Sequence, residues 1–373
     1  MIMKDTNRKK PLGVAIAGLG FGETVHIPAL KSNHGLEAIS LWHPRSDRLV
    51  EASNKHSISS QKDWNALLND PKVEGIILAT PPEPRFKLAY EALDAGKHLL
   101  LEKPVALKAE EIKMLQRLAI QKRLSVAVDF EYRAVPLFMQ AKRLISQGVI
   151  GDPWLIKLDW LMSSRSNPSR PWNWYSEAEK GGGVLGALGT HAFDMIHWLF
   201  GPTKSINALL STSIKERIEP HSNVKKEVTS EDTVLAQLQI GGAETDFLIP
   251  AQITLSAVAR EGRGCWIEVY GSKGTLVLGS KNQKDYVHGF GLSLTKAGEQ
   301  AKAVIPDQDL AFKRTWTDGR VAPVARLQSW WAESIENGEP IIPGLTEGLS
   351  SQIVCDRIRE SALTGQRYQF ENY

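Results

Sequence analysis

Short apolar runs, each closed by a turn and followed by a stretch with helical spacing, fill the first third of the chain. Val14-Ala15-Ile16-Ala17 leads into a glycine-rich turn ending at Gly22, and a helix is expected from about Glu23 to Asn33. Three further runs, Leu36 to Trp42, Val73 to Ala79 and His98 to Leu101, end at His43-Pro44-Arg45, Thr80-Pro81-Pro82 and Glu102-Lys103-Pro104. Helical patterns lie between them, around Asp47 to Lys55, Trp64 to Leu68 and Phe86 to Ala95. A helix from about Lys108 to Lys122 and a strand over Ser125 to Phe130 complete the series. Strands alternating with helices cross over right-handed into a parallel sheet covered on both faces, so a doubly wound α/β domain is expected.

After about Tyr132 the pattern changes. A helix (Val135 to Gln147) precedes strand-like segments at Trp154 to Met162, Thr233 to Gln239, Ala251 to Val258, Trp266 to Tyr270 and Thr275 to Leu278. Few helices separate the later ones, which predicts a large, mostly antiparallel sheet in an α+β domain. A loop rich in Trp, Pro and Gly (Arg165 to Gly183) leads to a helix near Leu188 to Phe200, and a last helix runs from about Leu345 to Leu363. At 373 residues the chain is long for one core. The expected division is a disordered lead over 1–10, a first domain over 11–131 and a second over 132–373, with no internal repeat.

Composition narrows the function. The chain is 42% hydrophobic and 23% charged, ordinary for a globular protein. A net charge of +3 with interspersed acids gives no basic stripe, which argues against nucleic acid. The two cysteines, Cys265 and Cys355, lack metal-ligand or CxxC spacing, so free thiols in a reducing compartment and no metal site are expected. No apolar run has the length of a membrane span, and the polar start lacks a signal-type core, consistent with a cytoplasmic protein.

The chemistry begins at Gly18-Leu19-Gly20-Phe21-Gly22-Glu23. A strand feeding paired glycines and a helix leaving them let the backbone approach a pyrophosphate at the helix N-terminus, the arrangement of a Rossmann dinucleotide site. Glu23 stands where the third glycine of GxGxxG belongs; it either loosens the packing of helix on strand or puts a carboxylate near the diphosphate. The second strand ends in Trp42-His43-Pro44-Arg45-Ser46, with no acid for a ribose 2′-hydroxyl. Arg45 can instead meet a 2′-phosphate, which favours NADP over NAD; the other reading is a solvated arginine ahead of a helix start.

The chain resembles the Gfo/Idh/MocA family of oxidoreductases, which includes glucose-fructose oxidoreductase and inositol dehydrogenase. The resemblance rests on the Gly18 turn, Ala79-Thr80-Pro81-Pro82, Ala95 to Pro104, Gly181-Gly182-Gly183, Gly189-Thr190-His191 with Asp194, Gly271 to Thr275, Gly348-Leu349 and Ser361 to Gly365. It implies a Rossmann domain followed by a substrate-binding domain whose open sheet joins subunits in a homodimer or homotetramer. The expected cofactor-binding residues are Gly18, Gly20, Phe21, Gly22, Arg45, Thr80, Pro81, Glu102 and Lys103. Lys103, beyond a parallel strand's carboxyl end, is the implied catalytic residue, able to give a proton to a carbonyl oxygen or hydrogen-bond an alkoxide. A surface pair of Lys103 with Glu102 is the bland reading. His191 is the second acid/base candidate. The family commonly has Asp four residues earlier, and here that position is Ala187. Asp194, Trp172 and Tyr175 are substrate-binding candidates; structural roles for them are the alternative. Arg85 replaces a common histidine and is given no function, and Glu131 and Arg133 either touch substrate or pair with each other.

The expected activity is hydride transfer between NADP or NAD and a hydroxyl or carbonyl carbon of a sugar, cyclitol or related small molecule. Two other readings stay open: reduction of a non-carbohydrate such as a linear tetrapyrrole or aromatic diol, and a catalytically reduced dinucleotide-binding sensor or assembly protein, motivated by Ala187 and Glu23.

Overall fold

In a computed structural model of the protein, which describes residues 10–220, 222–241, 247–282 and 285–370, Leu12–Ala17 forms strand β1 with every side chain buried. The lead expected over 1–10 therefore lies, but for Lys10, outside the described residues. The chain divides into two compact units, Met1–Ala134 with Lys313–Leu349, and Val135–Phe312 with Ser350–Tyr373.

The first unit is a six-stranded parallel sheet of β1, β2 (Leu36–Trp42), β3 (Ser59–Ser60), β4 (Gly75–Leu78), β5 (His98–Leu101) and β6 (Val126–Val128), in the order 3-2-1-4-5-6. The order reverses between β1 and β4, and the crevice at such a point is where open α/β sheets hold ligands. Successive residues of a strand face opposite sides, so one sheet builds two cores. With helices α1 (Ile27–Leu30), α2 (Ser46–His56), α3 (Trp64–Asn69), α4 (Pro82–Asp94) and α5 (Ala109–Lys122) in chain order, Ala15, Ala17, Ile76, Leu78, Leu99 and Leu101 pack with α4 and α5. Val14, Ile16, Ile77 and Leu100 pack on the opposite face, and Leu327 and Trp331 cover them. These last two belong to a helix near the far end of the chain, Val321–Asn337. Gly75 makes room for it: a Cβ there would stand 2.8 Å from the Trp331 ring.

In the second unit, β7 (Pro153–Leu161), β8 (Thr203–Ser211), β11 (Thr233–Ile240), β12 (Ile249–Ser256), β13 (Gly264–Gly271), β14 (Gly274–Ser280), β15 (Gly291–Lys296), β16 (Lys302–Val304) and β17 (Tyr368–Gln369) form one sheet. A separate hairpin pairs β9 (Glu216–Ile218) with β10 (Lys225–Glu227). All pairs in the large sheet are antiparallel except β12 with β7. Alternation is clean in β11, where Val234, Ala236, Leu238 and Ile240 are buried and Leu235 and Gln237 face out. Among the described residues no helix is long and apolar enough to cross a membrane.

Candidate dinucleotide and active site

β1 stops at Gly18 because the backbone turns there with φ +99°, a conformation open to glycine and strained for other residues. A Cβ at Gly18 would lie 2.5 Å from the Ala79 carbonyl, so the turn presses against the end of β4. Gly20 has nothing within 4 Å of its Cβ position, which leaves its backbone open to a ligand, while a Cβ at Gly22 would touch Ile16. A wide π-type turn over Gly22–His26 leads into a short α-helix, Ile27–Leu30, so the single long helix expected from Glu23 to Asn33 is shorter and irregular at its start. Phe21, half-buried, lies edge-on to His26, with the Arg320 guanidinium 5.1 Å above its ring.

Glu23 turns away from the glycine backbone. Its carboxylate takes hydrogen bonds from Lys55 Nζ (2.8 Å), Arg48 Nη2 (3.2 Å) and His56 (3.3 Å), all on α2 (Ser46–His56). The Lys55 hydrogen bond leads in holding its carboxyl below the ordinary range, against the opposing effect of burial. The residue at the third glycine position thus staples the turn to α2 and sends no charge toward a diphosphate. Arg45, exposed, meets the equally exposed Asp47 in a two-pronged pair at 3.3 and 2.5 Å. That hydrogen bond holds Asp47 at about 2.

At the end of β4, Thr80 is buried and its hydroxyl has no hydrogen-bond partner among the described residues. Pro81 is exposed in extended backbone just before α4. From α4 the buried Arg85 reaches back: Nη1 donates to the carbonyls of Glu102 (2.6 Å) and Pro104, and Nη2 to that of Thr80. One guanidinium thereby ties together the ends of β4 and β5, on both sides of Lys103. Arg85 had no role assigned from its sequence; its signal was a long cation, the fourth residue of a helix that starts where a ligand crevice is expected.

Lys103 is half-buried beyond β5. Burial pushes its ammonium below the usual range, and the charges of Glu131, Glu102 and Asp129 pull it back up. Glu102 does not run to the surface; it is buried and accepts from His26 Nε2 at 2.9 Å. Burial drives the Glu131 carboxyl up to about 7. Glu131 and Arg133 sit buried in a 3₁₀ turn directly after β6. Because β1, β4 and β5 are neighbours, Gly18, Thr80 and Lys103 share one carboxyl edge of the sheet. An open glycine backbone and an unsatisfied hydroxyl along that edge fit a nicotinamide dinucleotide.

In the second unit His191 and Asp194 are buried on the helix Thr190–Phe200, with the His191 ring 6.3 Å from Trp160. Ala187 falls in the wide turn Leu185–Gly189 that precedes it. Trp172 donates its indole N–H to the Glu227 carbonyl and carries the Lys226 ammonium 4.5 Å over its ring. Arg165 stacks 3.7 Å over Tyr175. Burial lowers the guanidinium to about 10 and raises the phenol to about 12. With Arg217, Ser230, Glu231 and Asp232 these two line a cavity of about 20 Å³, room for one water-sized guest.

Residues 12–130 match the model of the oxidoreductase family's NAD-binding Rossmann fold, and residues 142–370 that of its C-terminal alpha/beta domain. An oxidoreductase of Synechocystis is 43% identical over 352 residues, 94% of each chain. Levoglucosan dehydrogenase of Pseudarthrobacter phenanthrenivorans is 26% identical over 82% of each. A solved structure of levoglucosan dehydrogenase in complex with NADH and L-sorbose has the same fold, with a TM-score of 0.85 at 22% identity over 98% of this chain and 100% of that one.

Proposed function

The chain belongs to the Gfo/Idh/MocA family of NAD(P)-dependent oxidoreductases, and from that premise we propose that it moves a hydride between NADP(H) and a hydroxyl or carbonyl carbon of a sugar or cyclitol. The observation that carries this reading is the shared carboxyl edge, where a glycine turn with open backbone at Gly20 and a half-buried lysine lie two strands apart. When bound, the dinucleotide supplies or accepts the hydride at its nicotinamide ring. Lys103 handles the proton, giving it to the carbonyl oxygen in reduction and taking it from the hydroxyl in oxidation. Desolvation brings its pKa closer to the working pH, which eases both directions.

His191 is the second acid/base group, and Asp194, Trp172 and Tyr175 contact substrate. With Ala187 in place of a carboxylate one helical turn earlier, the imidazole loses a partner that favours its charged form, so hydrogen bonding is its main part and Lys103 is the principal proton donor. A relative named for levoglucosan, and that enzyme's complex with L-sorbose, support a carbohydrate substrate. Levoglucosan and L-sorbose are neither tetrapyrroles nor aromatic diols, and retention of Lys103 and His191 argues against a sensor. Following nicotinamide absorbance across sugars, polyols and their keto forms tests the assignment; turnover confined to non-carbohydrates would reject it.

For NADP, Arg45 exchanges its Asp47 partner for the 2′-phosphate, a charge-assisted contact. Arg45→Ala is expected to weaken NADP by about 10-fold and NAD little. Calorimetric titration showing equal losses, or tighter NAD binding by the parent, would overturn the preference.

The outward face of the large sheet exposes two cross-strand apolar pairs, Leu155 beside Tyr270 and Leu209 beside Leu235. This is the face we assign to subunit association. Sedimentation velocity is expected to show a dimer or tetramer that Leu209→Lys with Leu235→Lys dissociates; an unchanged assembly would place the contact elsewhere.

A further inference from the structure

Next to Lys103 in the sequence, Glu102, expected there to bind the cofactor, turns its carboxyl to a group of buried side chains whose chemistry the proposed reaction leaves unexplained. His26 and Asp129 are fully buried and Glu102 nearly so. His26 Nε2 stands 2.9 Å from Glu102 Oε1 and 3.6 Å from Asp129 Oδ2. One ligand-type atom from each residue lies within 4.8 Å of the other two.

The proton positions follow from Gln328. Its side-chain nitrogen lies 3.3 Å from both the His26 backbone carbonyl and His26 Nδ1. The carbonyl can only accept, so the amide NH₂ faces this side, and Nδ1 must be the acceptor beside it. His26 Nε2 then carries a proton, donated to Glu102. Neither Asp129 oxygen has a hydrogen-bond partner among the described residues. An ionised carboxylate, fully buried, with no donor and a second carboxylate beside it, would be strongly unfavourable. A carboxylic acid there has a proton to place between itself and Glu102.

We propose that Glu102 and Asp129 form an acid pair holding one proton, and that this pair reprotonates Lys103 after each proton transfer to substrate. The proposal rests on Lys103 being the proton donor. In reduction, an N–H bond of Lys103 breaks as the O–H bond of the product forms, the hydride having come from the reduced nicotinamide cofactor. The Asp129 O–H bond then breaks and an N–H bond re-forms at Lys103. Two carboxylates remain until a proton from solvent refills the pair; oxidation runs the sequence backwards.

The electrostatics agree with this order. Burial first, then the charges of Glu102 and Glu131, hold Asp129 well above the carboxylate range, while burial lowers Lys103. The two groups approach each other in acidity, which makes transfer between them easy in both directions. The other charges facing the group are Glu131 and its neighbour Arg320, and Arg85, which raises no proton question because it stays charged.

Asp129→Asn tests this, since asparagine keeps the size and can donate to Glu102 but has no proton to give. Infrared difference spectra, dinucleotide-free parent minus Asp129→Asn at neutral pH, are expected to show a protonated-carboxyl C=O band of Asp129, while any band of the Glu131 carboxyl is common to both proteins and cancels. With dinucleotide and substrate, the variant's first hydride transfer should match the parent's, because Lys103 starts protonated, while steady turnover falls by about 10- to 100-fold. Asp129→Leu, similar in size and likewise without a proton to give, should repeat both results and serves if Asp129→Asn does not fold. A difference spectrum without that band, or zinc found in the purified protein, would overturn the acid pair. Unchanged steady turnover, or equal slowing of first and later turnovers, would overturn its role as proton supply. Full turnover by Lys103→Ala would refute the Lys103 reading itself and leave the band untouched.

Discussion

Replacing Lys103 by alanine is expected to lower turnover by about 10²- to 10⁴-fold, the range that a positioned proton donor contributes. Dinucleotide affinity should change little, because the glycine turn and Thr80 hold the other end of the binding edge. Lys103→Arg is expected to be nearly as slow: the charge remains, but a guanidinium does not release its proton at working pH. Fluorescence titration of reduced dinucleotide beside steady-state rates separates the two quantities. Near-normal kcat in either variant would return Lys103 to a structural role.

The second large effect is on stability and binding together. Gly18→Ala introduces a Cβ 2.5 Å from Ala79 backbone atoms and 2.7 Å from the Thr80 nitrogen, at φ +99°. No side chain can move aside, so β1 and β4 must separate, and a loss of about 2–4 kcal/mol is expected. Dinucleotide binding should go with it. Gly96→Ala is the control, with φ +78° and open space around its Cβ position. It carries only the backbone strain, about 1 kcal/mol. Denaturant unfolding that gives the two variants equal losses would show that close approach at Gly18 is not what the glycine provides.

The strands that build this edge were legible because each is a short apolar run closed by a turn residue; β2 and β5 fall where the pattern puts them, at Leu36–Trp42 and His98–Leu101. The motif residues at their ends followed. Helix Val321–Asn337 was not legible as part of the first unit. Its Trp331 covers the face that Val14, Ile16 and Leu100 leave open, a requirement that exists only once the sheet is assembled. Strand β8 was missed for a local reason: Lys204, Ser205 and Asn207 interrupt its apolar alternation.

The polar site shows the same division. Lys103 is marked by its neighbours in sequence, whereas Glu102 meets His26 across 76 residues, and Gln328 meets His26 across 302. No spacing rule reaches that far. Asp129 had one usable sign, a carboxylate directly after a buried strand on the carboxyl side of the sheet. Glu23 was read through the motif it interrupts; its three basic partners on α2 lie 25 to 33 residues away and decide its role.

Isotope transfer reports on hydride transfer at this edge and on the part of Lys103 in managing the proton. Reduced dinucleotide carrying deuterium at C4 of its nicotinamide ring would be turned over with a keto sugar, and the product examined by NMR. Deuterium is expected on the carbon that bears the new hydroxyl, at a rate that Lys103→Ala lowers by about 10²-fold or more. Product without deuterium at that carbon, or the same rate of labelling from Lys103→Ala, would contradict it.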